Sequence, residues 1–280
     1  MVTRQGGKSV RIGTGMPLTI IGEKINPTGK KTFAEQLLAG DFSQIQEYAV
    51  SQVAAGAHIL DVNLGVAGLD EVKALPEAVK IAMACTDVPL SIDTADPQAM
   101  AAALQIYEGK AILNSVTGEE VSLKAFLPLV KRYHTAVIAL PYDESGPSDD
   151  PETRLKVAQK ILHQAQEMDI PPEDVLIDGL ARPVSLDKNM ARIALETIRL
   201  LRENLGVNTV LGISNVSFGL PDRRFVNLTF LTLAVAMGLT CAITDPTVPE
   251  MKKALLANNL LLGYDEFAIN WIGHFRESKL

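Results

Sequence analysis

Cysteine and long apolar runs are both scarce in this sequence of 280 residues. Its two cysteines, Cys85 and Cys241, lie in apolar surroundings and lack the paired spacing of a zinc site or an iron–sulfur cluster. Residues 1–15 are polar and lack the apolar core of a signal peptide, and the apolar run 228–239 is too short to span a membrane. These features predict a cytoplasmic protein without membrane association.

Positive charge and histidine are limited as well. There are 26 Lys and Arg against 33 Asp and Glu, and the net charge of -7 argues against nucleic acid as a partner. The four histidines lie at predicted strand starts or in predicted helices: His58, His134, His163 and His274. Because barrel enzymes usually hold a catalytic metal through histidines at the other end of their strands, we expect no bound metal.

The sequence does contain eight short apolar segments that alternate with helical patterns. The predicted strands are residues 18–25, 58–63, 88–93, 111–114, 136–140, 175–177, 210–213 and 240–243. This alternation predicts an α/β protein with a single (β/α)8 TIM barrel, a fold that typically takes ~250 residues. A doubly wound sheet is the alternative, but the glycine-rich dinucleotide fingerprint that often follows its first strand is missing.

The two ends of the chain flank this barrel. Residues 1–17 are predicted to be an N-terminal lead-in that forms a small hairpin over the barrel floor, and residues 18–280 to be one barrel domain. A strongly apolar helix is predicted at 228–238. In the C-terminal tail, Trp271, Ile272 and Phe275 are predicted to pack against the barrel.

Polar residues follow most of the predicted strands, at the point where each strand ends. These residues are Glu23, Asn26, Asp61, Asn63, Asp93, Asn114, Asp178, Asn215, Ser217 and Asp245. In a barrel they all face one mouth, where such enzymes bind their ligands. A mixture of carboxylates and carboxamides suits a flat heterocycle with both donors and acceptors, such as a pterin. The alternative is that each residue caps the following helix.

These strand ends resemble the pterin-binding methyltransferases, relatives of dihydropteroate synthase. The segments that carry the resemblance are Ile21–Asn26, Gly56–Asn63, Ser91–Thr94, Ile112–Ser115, Leu176–Asp178 and Gly212–Ser217. They are most similar to methyltetrahydrofolate:corrinoid/iron–sulfur protein methyltransferases and to the folate module of cobalamin-dependent methionine synthase. The resemblance covers the chain from about residue 18 to the C-terminal helices, so it implies one pterin-binding TIM-barrel domain.

The resemblance also implies roles for individual residues. Asp93, Asn114 and Asp178 match ligands of the pterin ring, and Asn215 matches a catalytic asparagine whose amide reaches the N5 side of the pterin. A second group of expected pterin-binding residues consists of Glu23, Asn26, Asp61, Asn63 and Ser217. Phe218 stands where related enzymes often have glutamine, and it is alternatively a packing residue beneath the loop.

The implied reaction moves a methyl group between N5 of tetrahydrofolate and the cobalt of a corrinoid. The departing amine must be protonated, so the enzyme has to supply or stabilise a proton at N5. The sequence lacks the histidine motif of cobalamin-binding domains, so the corrinoid is expected on a separate partner protein. The substrate is tetrahydrofolate or methyltetrahydrofolate, since the direction stays open, and a homodimer is expected.

Two alternatives remain at this point. The first is a dihydropteroate synthase-type transferase, which needs basic residues to hold a diphosphate. The Arg223–Arg224 pair is consistent with that reaction, whereas the absence of Lys or Arg beside Asp245 argues against it. A non-catalytic pterin-binding subunit would use the same ring ligands without transferring a methyl group.

Overall fold

The computed structural model describes residues 1–277. Within this range the strands are β1 (Val2–Gln5), β2 (Lys8–Arg11), β3 (Thr19–Ile25), β4 (Ile59–Asn63), β5 (Leu90–Asp93), β6 (Gly109–Lys110), β7 (Ile112–Thr117), β8 (Ala136–Leu140), β9 (Val175–Asp178), β10 (Asn208–Gly212) and β11 (Cys241–Thr244). The helices are α1 (Lys31–Leu38), α2 (Ser43–Ala54), α3 (Glu71–Cys85), α4 (Pro97–Ile106), α5 (Glu120–Tyr133), α6 (Pro151–Glu167), α7 (Met190–Leu205), α8 (Arg223–Met237), α9 (Pro249–Leu261) and α10 (Ile269–Glu277).

Eight of these strands close into a parallel barrel. Their order around the barrel is β10-β11-β3-β4-β5-β7-β8-β9, and β9 pairs with β10 to complete the circle. Helices connect the strands along the chain, which confirms the predicted single (β/α)8 barrel and excludes the open sheet. Parallel strands place all their carboxyl ends at one mouth, so the predicted strand-end residues are brought to the same side of the molecule.

A small antiparallel sheet covers the opposite end of the barrel. β1 pairs with β2 in the hairpin expected for the lead-in, and β6 joins β1 on its other edge. Val10 and Ile12 of this region pack in one buried cluster with interior barrel residues such as Ile21 and Ile59. Gly109 is needed here because a Cβ atom on it would lie 2.1 Å from the carbonyl oxygen of Arg4. The floor of the barrel is therefore filled by apolar side chains.

The segment after β10 differs from its prediction in two respects. The strand ends at Gly212, and Ile213–Ser217 form a 3₁₀ turn instead of continuing the strand. The next helix begins at Arg223, five residues before the predicted start at 228. The apolar pattern misled in both cases, because Ile213 is buried from within the turn and α8 begins with two arginines, Arg223 and Arg224.

The C-terminal prediction was wrong in part. Trp271, Ile272 and Phe275 lie in α10 but are 38%, 43% and 57% exposed. Asp265 fixes the start of this helix by accepting hydrogen bonds from the backbone N–H groups of Asn270 and Trp271. α10 packs mainly against α9, and the three side chains remain at the surface. In residues 1–277 no helix is long and apolar enough to cross a membrane.

Candidate functional site

A cavity of 810 Å³ opens at the mouth of the barrel, a volume typical of small-molecule sites. Most of the predicted site residues line it: Glu23, Asn26, Asp61, Asp93, Asn114, Asp178 and Asn215. Asp245, named among the strand-end residues, lines it too. Asn63 and Ser217 lie behind the wall, where they hold other residues of the site in place.

Three polar side chains lie at the ends of neighbouring strands and line one wall of the cavity: Asp61, Asp93 and Asn114. Asn114 at the end of β7 donates through Nδ2 to Oδ1 of Asp61 on β4, over 3.1 Å. Asp93 on β5 pairs in register with both Asn63 and Asn114. Burial raises the pKa of Asp61 and of Asp93. The negative charge of Asp61 raises the pKa of Asp93 further, whereas a hydrogen bond from Asn63 lowers it. A ligand that donates hydrogen bonds to these carboxyl groups would favour their ionised forms.

Asp178 at the end of β9 is buried and has a well-defined partner. Its Oδ1 accepts a hydrogen bond of 2.6 Å from the N–H of Leu180. Burial raises the pKa of Asp178 to about 6, while this hydrogen bond and the charge of Arg154 oppose the rise. An N–H donor of a bound ligand would favour the ionised form and lower that pKa.

Arg154 is a site residue that the sequence did not reveal. It is 1% exposed on α6, and its Nη1 donates to the carbonyl oxygens of Gly179 and Leu180 at 2.8 and 3.1 Å. It therefore fixes the loop that follows Asp178. The sequence feature that could have indicated this role is an arginine on the apolar face of a helix, because a buried charge needs hydrogen-bond partners.

On the other side of the mouth, Glu23 and Ser214 are joined across the strand ends. The hydroxyl of Ser214 donates to Oε1 of Glu23 on β3. Burial raises the pKa of Glu23 to about 7, and the negative charge of Asp245 adds to the rise. The Ser214 hydrogen bond and the charges of Lys30 and Arg223 act in the opposite direction.

Asn215 lies in the turn after β10, next to Ser214, and its side chain is exposed to the cavity. A Cβ atom on Gly212 would lie 2.8 Å from Nδ2 of Asn215, so the glycine makes room for this carboxamide. The helix that follows begins at Arg223, after Asp222, and Asn215 does not cap it. The capping alternative is wrong for this residue.

Ser217 and Phe218 support and flank the same turn. Ser217 is fully buried, donates to Oδ1 of Asn227 at 2.6 Å and accepts from Nε of Arg223 at 2.9 Å. Phe218 is 59% exposed and lines the cavity, with the guanidinium of Arg223 5.8 Å from its ring centroid. Phe218 is therefore not a packing residue beneath the loop.

Basic side chains also reach the cavity, two of which were not predicted. The Nζ atoms of Lys24 and Lys30 lie 5.7 and 5.1 Å from the centroid of the Tyr48 ring. Lys24 is 3.7 Å from a carboxylate oxygen of Asp245, and Lys30 donates to the backbone carbonyls of Lys24 and Asn26. These contacts tie the β3–α1 loop to the end of β11.

The part of the chain that the structure describes contains no group of three or more His, Cys, Asp or Glu side chains arranged to hold a metal ion. Paired carboxyl and carboxamide groups on one wall, with an unpaired carboxamide on the other, match the donors and acceptors of a flat heterocycle.

Comparison with known proteins gives one relative of similar length and one that is much longer. The chain is 29% identical over 271 residues to the methylcorrinoid:tetrahydrofolate methyltransferase of Eubacterium limosum, covering 94% of this chain and 98% of that protein. It is 29% identical over 237 residues to the methionine synthase of Mycobacterium tuberculosis, but spans only 20% of that longer protein.

Solved structures give the same fold at lower identity. The dihydropteroate synthase of Yersinia pestis superposes with a TM-score of 0.65 at 16% identity, covering 93% of this chain and 98% of that one. The sequence profile of the pterin binding enzymes matches residues 22–245, which is most of the sequence. The chain therefore belongs to the family of pterin-binding enzymes.

Proposed function

We propose that this protein is a methyltransferase that moves a methyl group between N5 of tetrahydrofolate and the cobalt of a corrinoid. The observation that carries the proposal is the similarity to the Eubacterium limosum methylcorrinoid:tetrahydrofolate methyltransferase along nearly the whole of both chains. The bound corrinoid supplies a metal centre that can give or take the methyl group. The residues of this chain bind the folate and control the proton at N5.

Asp93, Asn114 and Asp178 are the proposed anchors of the pterin ring. A pterin presents an N–H and an amino group side by side, and a buried carboxylate can accept from both. Glu23, Asn26 and Asp61 line the same cavity and complete its polar wall. Asn63 and Ser217 act from behind the wall, since their side chains bond Asp93 and Asn227 respectively.

Asn215 is the proposed catalytic residue at N5. Its exposed carboxamide can donate a hydrogen bond, which strengthens as charge develops on N5 during transfer. Gly212 leaves space for this side chain close to the strand end. Such a preorganised donor acts on the transition state more than on bound substrate.

The organisation around this site is proposed as follows. The corrinoid arrives on a separate protein that docks at the barrel mouth, and the protein works as a homodimer in the cytoplasm. It binds neither nucleic acid, membrane nor a resident metal. Residues 1–17 serve as a lead-in and residues 18–280 as the pterin-binding barrel domain, of which residues 278–280 lie outside the described residues.

A dihydropteroate synthase-type reaction is the second candidate. The observation in its favour is that Lys24, Lys30, Arg223 and Arg224 line the cavity and could face a diphosphate. Each already has protein partners, however: Arg223 donates to Ser214 and Ser217, and Arg224 pairs with Glu250 at 2.9 Å. A non-catalytic pterin-binding subunit remains the third candidate.

The deciding experiment is an anaerobic assay in both directions. Methylcobalamin or a methylated corrinoid protein is mixed with tetrahydrofolate, and reduced cobalamin with methyltetrahydrofolate, while the cobalamin spectrum is followed. We expect methyl exchange in these arms and no incorporation of 4-aminobenzoate in a parallel reaction with a pterin diphosphate. Folate binding without exchange would support the binding subunit, and 4-aminobenzoate incorporation would support the synthase.

A further inference from the structure

Methyl transfer at N5 requires a group that exchanges a proton, and Asn215 is not such a group. Its carboxamide is neutral and can only donate or accept hydrogen bonds. General acid–base catalysis instead needs a titratable side chain within reach of the reacting atom, directly or through one relay. The carboxyl groups that line the cavity are therefore the candidates.

Three of these carboxyl groups already accept hydrogen bonds from other parts of the wall. Asp61 and Asp93, at the ends of β4 and β5, accept from Asn114 and Asn63 respectively. Asp178, at the end of β9 beside β10, accepts from the N–H of Leu180. Glu23, at the end of β3, is different, because its partner Ser214 directly precedes Asn215 in the turn after β10.

Ser214 connects the two residues. Its hydroxyl donates to Oε1 of Glu23, and it lines the cavity together with Glu23 and Asn215. The position of Ser214 is fixed, because its backbone carbonyl accepts a hydrogen bond of 2.6 Å from Nη2 of Arg223. A hydroxyl can accept one proton while it gives up its own, so this pair forms a short proton path between the space beside Asn215 and the Glu23 carboxyl group.

We propose that Glu23 exchanges the N5 proton of the folate through the hydroxyl of Ser214, an inference that rests on the methyltransferase function proposed above. When tetrahydrofolate is methylated, the N5 lone pair forms the new N–C bond to the methyl carbon. The cobalt–carbon bond breaks, and its electron pair stays on the cobalt. The proton of N5 passes to Ser214, and the hydroxyl proton of Ser214 passes to the Glu23 carboxylate. The reverse reaction returns the proton to N5.

The surroundings of Glu23 suit this exchange. The charged groups that face it are Asp245 on β11, Lys30 before α1, and Arg223 at the start of α8. Burial has the largest effect and, with Asp245, brings the pKa of Glu23 to about 7, so the group can both take and give a proton near neutral pH. Tetrahydrofolate methylation should therefore speed up as pH rises through this pKa, and the reverse reaction should slow down.

The test uses Glu23→Gln in the full-length protein, with Glu35→Gln as the matched control. Glutamine keeps an oxygen that accepts from Ser214 but cannot take a proton. Glu35 is exposed on α1 and pairs weakly with Lys31, at 3.8 Å. Single-turnover transfer from methylcobalamin is measured between pH 5.5 and 8.5, together with the tetrahydrofolate dissociation constant. We expect Glu23→Gln to slow transfer about a hundredfold or more, to remove the change of rate with pH near 7, and to lower folate affinity by a much smaller factor than the rate.

A second variant separates proton exchange from a structural role. Asp245→Asn removes a negative charge that raises the pKa of Glu23. The pH at which the transfer rate changes should therefore be lower in this variant. The proposal would be overturned if Glu23→Gln transferred the methyl group at the wild-type rate and with the wild-type pH dependence. It would also be overturned if the pH dependence of Asp245→Asn stayed where it is in the wild type. Absence of methyl transfer by the wild-type protein would instead count against the proposed function itself.

Discussion

The two sides of the barrel mouth are built differently. On the side of β4, β5, β7 and β9, Asp61, Asn114 and Asp178 are 3%, 8% and 8% exposed, and each has a hydrogen-bond partner in the protein. On the side of β10, β11 and β3, the Asn215 side chain is exposed, and Glu23 and Ser214 are half-buried. The first side is preorganised for binding a ligand, and the second combines the Glu23–Ser214 hydrogen bond with a carboxamide, that of Asn215, which faces the cavity.

The largest effect expected from this contrast is on the rate of methyl transfer, through the side of the mouth that holds Asn215. Asn215→Ala should slow methyl transfer on the order of a hundredfold, the typical cost of removing one preorganised donor. The tetrahydrofolate dissociation constant and the melting temperature should change little, because Asn215 caps no helix. Asn189→Ala is a suitable control, since Asn189 precedes α7 without a side-chain capping bond. An unchanged single-turnover rate would show that Asn215 is not catalytic.

The next effect is on affinity at the buried side. Asp178→Ala removes a charged hydrogen-bond acceptor, a change that costs about 1.5–3 kcal/mol and thus roughly tenfold or more in affinity. Calorimetry with tetrahydrofolate measures the loss, and Asp169→Asn, an exposed aspartate paired with Lys131, serves as the control. Equal affinities of Asp178→Ala and wild type would remove Asp178 from the ring ligands.

The buried side should also make folate binding depend on pH. The pKa of Asp178 in the free protein is raised to about 6, so the carboxyl group is increasingly protonated below that pH. A ligand that donates to it needs the ionised form. Protonation of Asp178 should therefore weaken affinity by about tenfold for each pH unit below 6. Titrations at pH 5, 6 and 7 test this, and Asp178→Asn should give weak binding that does not vary in the same way.

The smallest effect concerns the support behind the turn. Ser217→Ala removes a hydroxyl that bonds both Asn227 and Arg223, which should lower the free energy of unfolding by about 1–3 kcal/mol. Folate affinity should hold, because Ser217 does not line the cavity, and transfer should slow less than in Asn215→Ala. Denaturant unfolding and the transfer assay on one preparation check both points. A loss of affinity as large as that of Asp178→Ala would place Ser217 against the ligand.

The sequence was most informative where strands are short and buried. Asp61, Asp93 and Asn114 each follow an apolar strand directly, and parallel strands necessarily gather their carboxyl ends. The gathering of these side chains could therefore be predicted without knowing any distance. The hydrogen bond of 3.1 Å from Nδ2 of Asn114 to Oδ1 of Asp61 is a direct result of this gathering.

Contacts between distant segments could not be predicted in this way. Arg154 reaches the site from α6, and Tyr48 reaches it from α2, although nothing adjacent in sequence marks either as a site residue. The predicted packing of Trp271, Ile272 and Phe275 against the barrel was wrong for a related reason. A helical apolar pattern shows which face of a helix is apolar but not what that face contacts. Burial of Ile213 likewise made a turn resemble a strand.

The apolar plug beneath the barrel has a consequence for the order of events. Val10 and Ile12 fill the floor, so among the described residues the mouth is the way into the cavity. In the proposed reaction, folate and the corrinoid protein share that entrance. Folate must then arrive before the partner docks, and the modified folate can depart only after the partner has left. Steady-state kinetics should accordingly follow a compulsory sequence, with folate first in and last out.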